Sequence, residues 1–318
     1  MNPLSALYGA AVRVRNQLYD RGILPSDRLQ GPVVSIGNLS VGGSGKTPFL
    51  ILLGQLLQQR GIAFDVLSRG YRRQTQGVAI VDPNGSSREF GDEPLLIARK
   101  LGVHVIVGED RRRAGATAEA TFGPQLHLLD DGFQHRRLAR DFDIVLVTST
   151  DAQDSLLPAG RLREPLASLA RADAVVLANG ASTDGLPLHG QLVWRVRRDI
   201  VPPQTREPCF AFCGIARPEN FFAQLRTAQV PLAGTLSFRD HHRYSDEDAR
   251  ELQHLRQQAG AAAFVTTEKD AVNLGVHLSA LTPIYVVSVR MDLENAEAAM
   301  DSMFATVAAR RPTAREAI

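Results

Sequence analysis

The stretch SVGGSGKTP, residues 40–48, follows an apolar run that predicts a buried strand over residues 33–36 and opens a helical pattern over residues 47–59. A glycine-rich turn between a strand and a helix is the context that a phosphate-binding loop requires. The usual pattern is G-x-x-x-x-G-K-[ST], and here Ser40 stands at the first glycine position. Serine is small enough for a variant of this loop, so the stretch still predicts an α/β nucleotide-binding fold.

The residue types of this loop suit a nucleoside triphosphate. Glycines let the backbone approach the phosphates closely, and the N–H groups at the helix start can surround phosphate oxygens. Lys46 would reach the β- and γ-phosphates of the nucleotide, and Thr47 would ligate the accompanying Mg²⁺. The predicted nucleotide-binding residues are Ser40, Val41, Gly42, Gly43, Ser44, Gly45, Lys46 and Thr47.

A second motif, LHLLDDG over residues 126–132, predicts a strand that ends in two carboxylates. A phosphate-binding loop of this kind needs an acidic partner at the end of a neighbouring strand, which holds Mg²⁺ directly or through water. An Asx-type turn after a strand would have the same composition. Because the loop lies upstream, we interpret Asp130 and Asp131, with Thr47, as metal ligands.

Apolar strands alternate with helical patterns from residue 31 onward, which predicts βαβ units and a mostly parallel sheet flanked by helices. A polar, proline-rich stretch over residues 181–208 is interpreted as a linker to a second, smaller α/β lobe. The predicted domains are therefore an N-terminal helix over 1–30, a P-loop core over 31–185 and a C-terminal lobe over 186–318. A chain of 318 residues is long enough for this division.

The composition of the chain limits the classes of protein to which it can belong. A hydrophobic content of 44% and a charged content of 22% are ordinary for a globular protein. The formal net charge is +2 and the arginines are dispersed, so the chain lacks the basic stripe of a nucleic-acid binder. Two cysteines, Cys209 and Cys213, lie in a strand-like run, which predicts buried core thiols rather than a disulfide framework.

The N-terminal segment predicts an amphipathic helix. It could cap the core of the protein or lie in a membrane interface, and the pattern alone favours the core. No run of the sequence approaches the ~20 apolar residues of a membrane-spanning helix. The residues on the apolar side of the predicted helix are Leu4, Leu7, Tyr8, Ala11, Val14 and Leu18.

Two further motifs carry groups suited to proton transfer. In GDEP, residues 91–94, Asp92 is a candidate N-cap, and it is also a candidate general base for an acceptor hydroxyl. In FRDHH, residues 238–242, two adjacent histidines follow an aspartate, and histidine is a usual proton relay.

Basic side chains follow the second predicted strand in SRGYRR, residues 68–73. This position is the carboxyl-end rim where open α/β sheets bind ligands. Arg69 and Arg72 are therefore candidates for contact with an anionic substrate.

In this order the motifs resemble those of the tetraacyldisaccharide 4′-kinase family, the lipid A 4′-kinases of Gram-negative bacteria. The loop with serine at its first position is also what that family has. The resemblance spans residues 31–274. The matching stretches are GNLSVGGSGKTP (37–48), SRGYRR (68–73), GDEP (91–94), LDDGFQHRRL (129–138), LLPAGRLREP (156–165), FRDHH (238–242) and TTEKDAV (266–272).

The resemblance implies a P-loop kinase that transfers the γ-phosphate of ATP, with Mg²⁺, to the 4′-hydroxyl of tetraacyldisaccharide 1-phosphate. The product would be lipid IVA of lipid A biosynthesis. The enzyme would act on this anionic glycolipid at the cytoplasmic face of the inner membrane, as a peripheral protein without an obligate protein partner. Asp92 would be the base, supported by His241 rather than His242, and Lys46 would stabilise the transferred phosphate. The resemblance also favours a membrane position for the N-terminal helix.

An alternative function is a P-loop ATPase or GTPase switch that acts as a partner-binding module. Such a switch has no evident need for GDEP together with the DHH motif. These two motifs therefore favour the kinase.

Overall fold

The computed structural model describes residues 2–178 and 180–311. The strands β1 to β12 span Val33–Asn38, Phe64–Ser68, Ala79–Ile80, Val105–Val107, Leu126–Asp130, Phe142–Val147, Ala174–Ala178, Leu192–Val201, Cys209–Cys213, Leu232–Ser237, Ala263–Thr267 and Ile284–Leu293. The helices α1 to α9 span Pro3–Asp20, Lys46–Gln59, Ser87–Phe90, Asp92–Leu101, Arg111–Phe122, Pro218–Thr227, Asp246–Gln258, Glu268–Leu274 and Ala296–Arg310.

The strands form one sheet of twelve in the order β10-β9-β11-β12-β8-β7-β6-β1-β5-β2-β4-β3. All neighbouring pairs are parallel except β8 with β12 and β3 with β4. The central strands are buried along their whole length, as expected for a parallel sheet covered by helices on both faces. The predicted fold class, a mostly parallel α/β sheet with flanking helices, is confirmed.

The position of β1 explains why the two main motifs meet. β1 pairs with β5 in parallel, with Ile36 opposite Asp130, and β5 pairs in turn with β2. Since parallel strands end at the same edge of a sheet, the loop after β1 lies beside the carboxylates that follow β5. Ser68, the last residue of β2, reaches the same edge.

The stretch interpreted as a linker contains a ten-residue strand, β8. Trp194 and Val196 of this strand are buried, whereas Arg195 and Arg197, which alternate with them, are exposed. This alternation of period two is a strand signal that the polar, proline-containing surroundings obscured. β8 pairs in parallel with β7 on one side and antiparallel with the second half of β12 on the other.

The C-terminal unit, residues 209–287, is called here the second lobe. It contains β9 to β11, the first part of β12 and helices α6 to α8. The division into 1–30, 31–185 and 186–318 stays a prediction, with one difference in packing. Helix α9 packs instead on the hydrophobic core around the central strands, called here the first core. There Met300 and Met303 are fully buried in the same cluster as Ile36. Both cysteines are buried and free, as expected.

Helix α1 packs on the protein through a side that the hydrophobic pattern did not indicate. Ser5, Gly9, Val12 and Asn16 are its buried residues. Leu4 and Leu7, which the pattern places against the core, point away from it and are 62% and 70% exposed, whereas Tyr8 and Leu18 are partly buried. The favoured core packing of the apolar side is therefore wrong, because small and polar residues allow the closer helix contact. Within the described residues, the helices are too short or too polar to span a membrane.

Candidate active site

The loop after β1 adopts a backbone that requires glycine at three positions. Gly42, Gly43 and Gly45 have φ angles of 75°, 56° and 85°, in the left-handed region that other residues rarely adopt. Ser40 is not among the residues with positive φ, which explains why serine is tolerated there. Gly45 is the N-cap of α2 and has no side chain that could accept from the free N–H groups at the start of the helix. These N–H groups therefore remain available to an anion.

Lys46 lies at the first position of α2 and points back toward β1. Its Nζ donates to Asn38 Oδ1 at 3.0 Å and lies 3.4 Å from Asp131 Oδ1. These two contacts hold the ammonium group over the loop. Lys46 and Thr47 line a cleft of about 1310 Å³ between the loop and the second lobe.

The two carboxylates after β5 have different surroundings. Asp131 accepts two hydrogen bonds from Arg163, at 2.8 and 2.9 Å. Burial opposes its ionisation, but Lys46 and Arg163 outweigh this and hold the pKa of Asp131 well below its usual range. Arg163 belongs to the LREP motif, and the sequence analysis did not identify it as a site residue.

Asp130 is buried, and among the described residues no cationic group lies within ion-pair distance of its carboxylate. Its Oδ2 accepts from Ser68 Oγ at 2.8 Å, while Oδ1 is buried and has no hydrogen-bond partner among the described residues. Burial, together with the carboxylates of Glu93 and Asp131, raises the pKa of Asp130 to about 7. A buried carboxylate oxygen of this kind is suited to a cation that the protein itself does not supply.

The described part of the chain holds no group of three or more His, Cys, Asp or Glu side chains arranged as a metal cage. A Mg²⁺ site of the nucleotide type has one or two protein ligands, which act together with the phosphates. Thr47, Asp130 and Asp131 all line the cleft. The donors present fit Mg²⁺ shared with a bound triphosphate.

Across the cleft, the buried Asp92 pairs with the partly buried His241. The His241 Nδ1 atom lies 2.8 Å from Asp92 Oδ2 and 3.0 Å from Oδ1. Asp92 is not an N-cap, because Gly91 with φ 94° takes that position and Asp92 is the first residue of α4. His242 turns away and lies 3.2 Å from Asp248.

Helix α8 of the second lobe adds two side chains that the sequence analysis missed. Asn273 Nδ2 donates to Asp92 Oδ2 at 3.0 Å, and Lys269 Nζ lies 3.8 Å from the same oxygen. Burial would raise the pKa of Asp92, but the hydrogen bond from His241 and the charge of Lys269 lower it to about 2. Lys269 in TTEKDAV and Asn273 just after it are spaced i, i+4, so they lie on the same side of a helix. This spacing was the sequence signal that could have found them.

Of the arginines in SRGYRR, Arg69 and Arg72 line the cleft. Arg72 has a left-handed backbone, φ 58°, and donates to the carbonyl oxygen of Asp240 at 2.9 Å. It therefore lies between the first core and the loop that carries His241. Arg73 is directed away and pairs with Glu109 at 3.0 Å.

Comparisons with known proteins agree on one family. The model of the tetraacyldisaccharide-1-P 4′-kinase family matches residues 1–308. The tetraacyldisaccharide 4′-kinase of Koribacter versatilis is 51% identical, over 98% of this chain and 100% of the relative. The enzyme of the same name from Geobacter metallireducens is 40% identical, over 91% and 92%. The crystal structure of LpxK from Aquifex aeolicus in complex with ATP superposes with a TM-score of 0.77 at 34% identity, covering 96% of this chain and 98% of that one.

Proposed function

The chain belongs to the tetraacyldisaccharide-1-P 4′-kinase family, and from this membership we propose how its cleft carries out the family reaction. It is an ATP-dependent lipid kinase that phosphorylates the 4′-hydroxyl of tetraacyldisaccharide 1-phosphate to give lipid IVA in lipid A biosynthesis. One observation supports the residue assignment below. The phosphate-binding loop and the Asp92–His241 pair line the same cleft. A hydrolytic switch would not require that pair.

The loop would hold the triphosphate of ATP. Backbone N–H groups from Ser40 to Thr47 would contact phosphate oxygens, aided by the positive end of the α2 dipole. Lys46 would neutralise charge that develops on the γ-phosphate and on the leaving ADP. Because Asp131 and Asn38 already hold the ammonium group, little reorganisation is needed when the phosphate arrives.

Asp92 would accept the proton of the 4′-hydroxyl. The bond between the 4′-oxygen and the γ-phosphorus forms while the bond from that phosphorus to the β–γ bridging oxygen breaks. In a loose transition state the attacking oxygen becomes acidic as the new bond forms, so a carboxylate of low pKa is an adequate base. His241 would orient this carboxylate through the Nδ1 contact.

Thr47 and Asp130 would hold Mg²⁺, and Asp131 would act mainly by positioning Lys46. This division follows from the partners: Asp131 is paired with Arg163, whereas Asp130 Oδ1 has no hydrogen-bond partner among the described residues. When bound with ATP, Mg²⁺ supplies charge neutralisation on the β- and γ-phosphates. Arg69 and Arg72, at the rim of the cleft, would contact phosphate or sugar oxygens of the anionic glycolipid.

We also propose that α1 lies in the membrane interface on the cytoplasmic face, where ATP is available. Ser5 and Tyr8 hydrogen-bond to carbonyl oxygens of the loop that leads to Arg163, which fixes the inner side of the helix. Leu4 and Leu7 then project outward, 62% and 70% exposed. An apolar helix side held away from the core is suited to acyl chains.

We expect the double variant Leu4→Ser, Leu7→Ser to bind vesicles of phosphatidylethanolamine and phosphatidylglycerol about 10- to 100-fold more weakly than wild type, because two exposed leucines would no longer enter the apolar layer. Sedimentation with the vesicles measures this. Val276→Ser on the second lobe, where the valine is 85% exposed, is the matched control and should bind normally. Unchanged binding of the double variant would refute the interface position of α1.

The reaction itself is tested by incubating the full chain with γ-labelled ATP, Mg²⁺ and tetraacyldisaccharide 1-phosphate in detergent micelles. We expect the label to appear in the lipid and transfer to stop when EDTA removes the metal. Label found only as free phosphate would refute the lipid as acceptor and favour the hydrolytic switch.

A further inference from the structure

Lys269 of helix α8 lies against both members of the proposed proton-accepting pair. Its Nζ is 3.2 Å from His241 Nε2 and 3.1 Å from Asp240 Oδ1. The same atom is 3.6 Å from Glu93 Oε1 and 3.8 Å from Asp92 Oδ2. The side chain is 17% exposed, so this ammonium group is surrounded mainly by protein.

The position of Lys269 is fixed by its own lobe. Helix α8 begins at the N-cap Thr267, whose side chain accepts from Asp270 N. Asp270, next to Lys269, is fully buried and accepts from Gly214 N at 2.7 Å and Tyr244 Oη at 2.8 Å. Gly214 in turn accepts from His241 N at 3.1 Å. Lys269 and His241 are therefore held by the same network of hydrogen bonds around Asp270 and Gly214.

The donor inventory of these groups determines the histidine tautomer. An ammonium group has three N–H donors and no acceptor. A short contact from Lys269 Nζ to His241 Nε2 therefore requires a lone pair on Nε2. In the neutral ring the proton must then be on Nδ1, where it is donated to Asp92.

Charge balance gives a second reason for a cation at this point. Three carboxylates, Asp92, Glu93 and Asp240, lie within 4 Å of Lys269 Nζ. Without a positive charge between them, like charges would favour protonation or separation of these groups. Burial opposes the charge of Lys269, yet the carboxylates outweigh it and raise the pKa of the lysine.

We propose that Lys269 is a positioning residue for phosphate transfer, which keeps His241 in the Nδ1–H tautomer and Asp92 ionised and aligned toward the acceptor hydroxyl. The proposal rests on the proposed function of Asp92 and His241. Lys269 itself does not contact the reacting atoms. It acts through the two residues that it holds, with Asn273, one turn further along α8, as a neutral second donor to Asp92.

The main test compares Lys269→Ala and Lys269→Arg in the micellar transfer assay. We expect Lys269→Ala to lower kcat about 10- to 100-fold, the range for losing a hydrogen bond to a charged group, with the KM for ATP nearly unchanged. Lys269→Arg keeps a positive donor and should retain several-fold more activity than the alanine variant. Added ethylammonium should raise kcat of Lys269→Ala, because the cavity left by the side chain admits a small cation.

A spectroscopic measurement needs no variant at the lysine. In ¹⁵N-histidine-labelled wild type, the His241 resonances, assigned by their loss in His241→Asn, should show a protonated Nδ1 and an unprotonated Nε2. A neutral ring with the proton on Nε2 would overturn the proposal. Wild-type kcat in Lys269→Ala, or a loss that neither arginine nor ethylammonium relieves, would also overturn it.

The outcomes separate this inference from the function on which it rests. If Asp92→Asn is inactive and Lys269→Ala is fully active, only the role of Lys269 is wrong. If Asp92→Asn transfers phosphate normally, Asp92 is not the base and the proposed function of that residue is wrong, whatever Lys269 does.

Discussion

Replacing Asp92 with asparagine is expected to reduce kcat about 10²- to 10⁴-fold, the usual contribution of a general base. The amide has nearly the shape of the carboxylate but cannot take the hydroxyl proton. It also replaces one acceptor oxygen with an NH₂ donor. It therefore cannot accept both from His241 and Asn273, as Oδ2 does, and from Glu93 N, as Oδ1 does. Initial rates of lipid labelling from γ-labelled ATP measure the effect.

The control for this variant lies in the same region of the fold. Asp248→Asn removes the carboxylate that is 3.2 Å from the other histidine, His242, and it should leave kcat close to wild type. ATP binding measured by calorimetry should be similar in both variants, since neither residue belongs to the phosphate-binding loop. A general base contributes about 10²-fold or more to the rate. If Asp92→Asn kept kcat within about threefold of wild type, Asp92 would not be the base and would serve only as the first residue of α4.

Replacing Lys46 with methionine is expected to lower kcat about 10²- to 10³-fold, the effect of removing one preorganised charge-stabilising donor. Methionine preserves the length of the side chain but removes the charge directed at the γ-phosphate. The loss also leaves Asp131 with Arg163 as its remaining cationic contact among the described residues. The same transfer assay, at saturating ATP, measures kcat separately from binding.

Lys100→Met is the matched control, because it removes one of only three lysines in the chain. Lys100 pairs with Glu268 and has no contact with the phosphate-binding loop in the described structure. Its replacement should leave kcat unchanged within about twofold, as expected for a partly exposed ion pair. Full activity in Lys46→Met would mean that the loop holds the nucleotide without stabilising the transferred phosphate.

The sequence alone was sufficient for the features that depend on local backbone. The loop over residues 40–48 was recognisable because three glycines with left-handed φ angles are required by the turn itself. Asp130 and Asp131 stand at the end of the mostly apolar run LHLL, residues 126–129, which is a local signal for a buried strand. The fold class followed from the same alternation of strands and helices, and the structure confirms it.

Local patterns failed where polar composition masked a regular element. The polar surroundings of β8 predict a linker, although Trp194 and Val196 alternate with arginines at the period of a strand. Helix α1 was oriented incorrectly, because a hydrophobic pattern identifies the apolar side of a helix but not what will cover it. In the fold, Gly9 and Asn16 face the protein and Leu7 faces outward.

Residues within one strand–loop unit were enough to predict the glycine-rich loop, the acidic pair beside it and the α/β class. The tertiary structure decided the other half of the site. Asp92 and His241 are 149 positions apart in the sequence, and Arg163 and Asp131 are 32 positions apart. Such contacts depend on the order of strands in the sheet and on β12, which joins the second lobe to the first core. A side chain's own neighbours in sequence carry no information on that order, so the contacts of Lys269 with His241 and Asp92 became visible only in the folded chain.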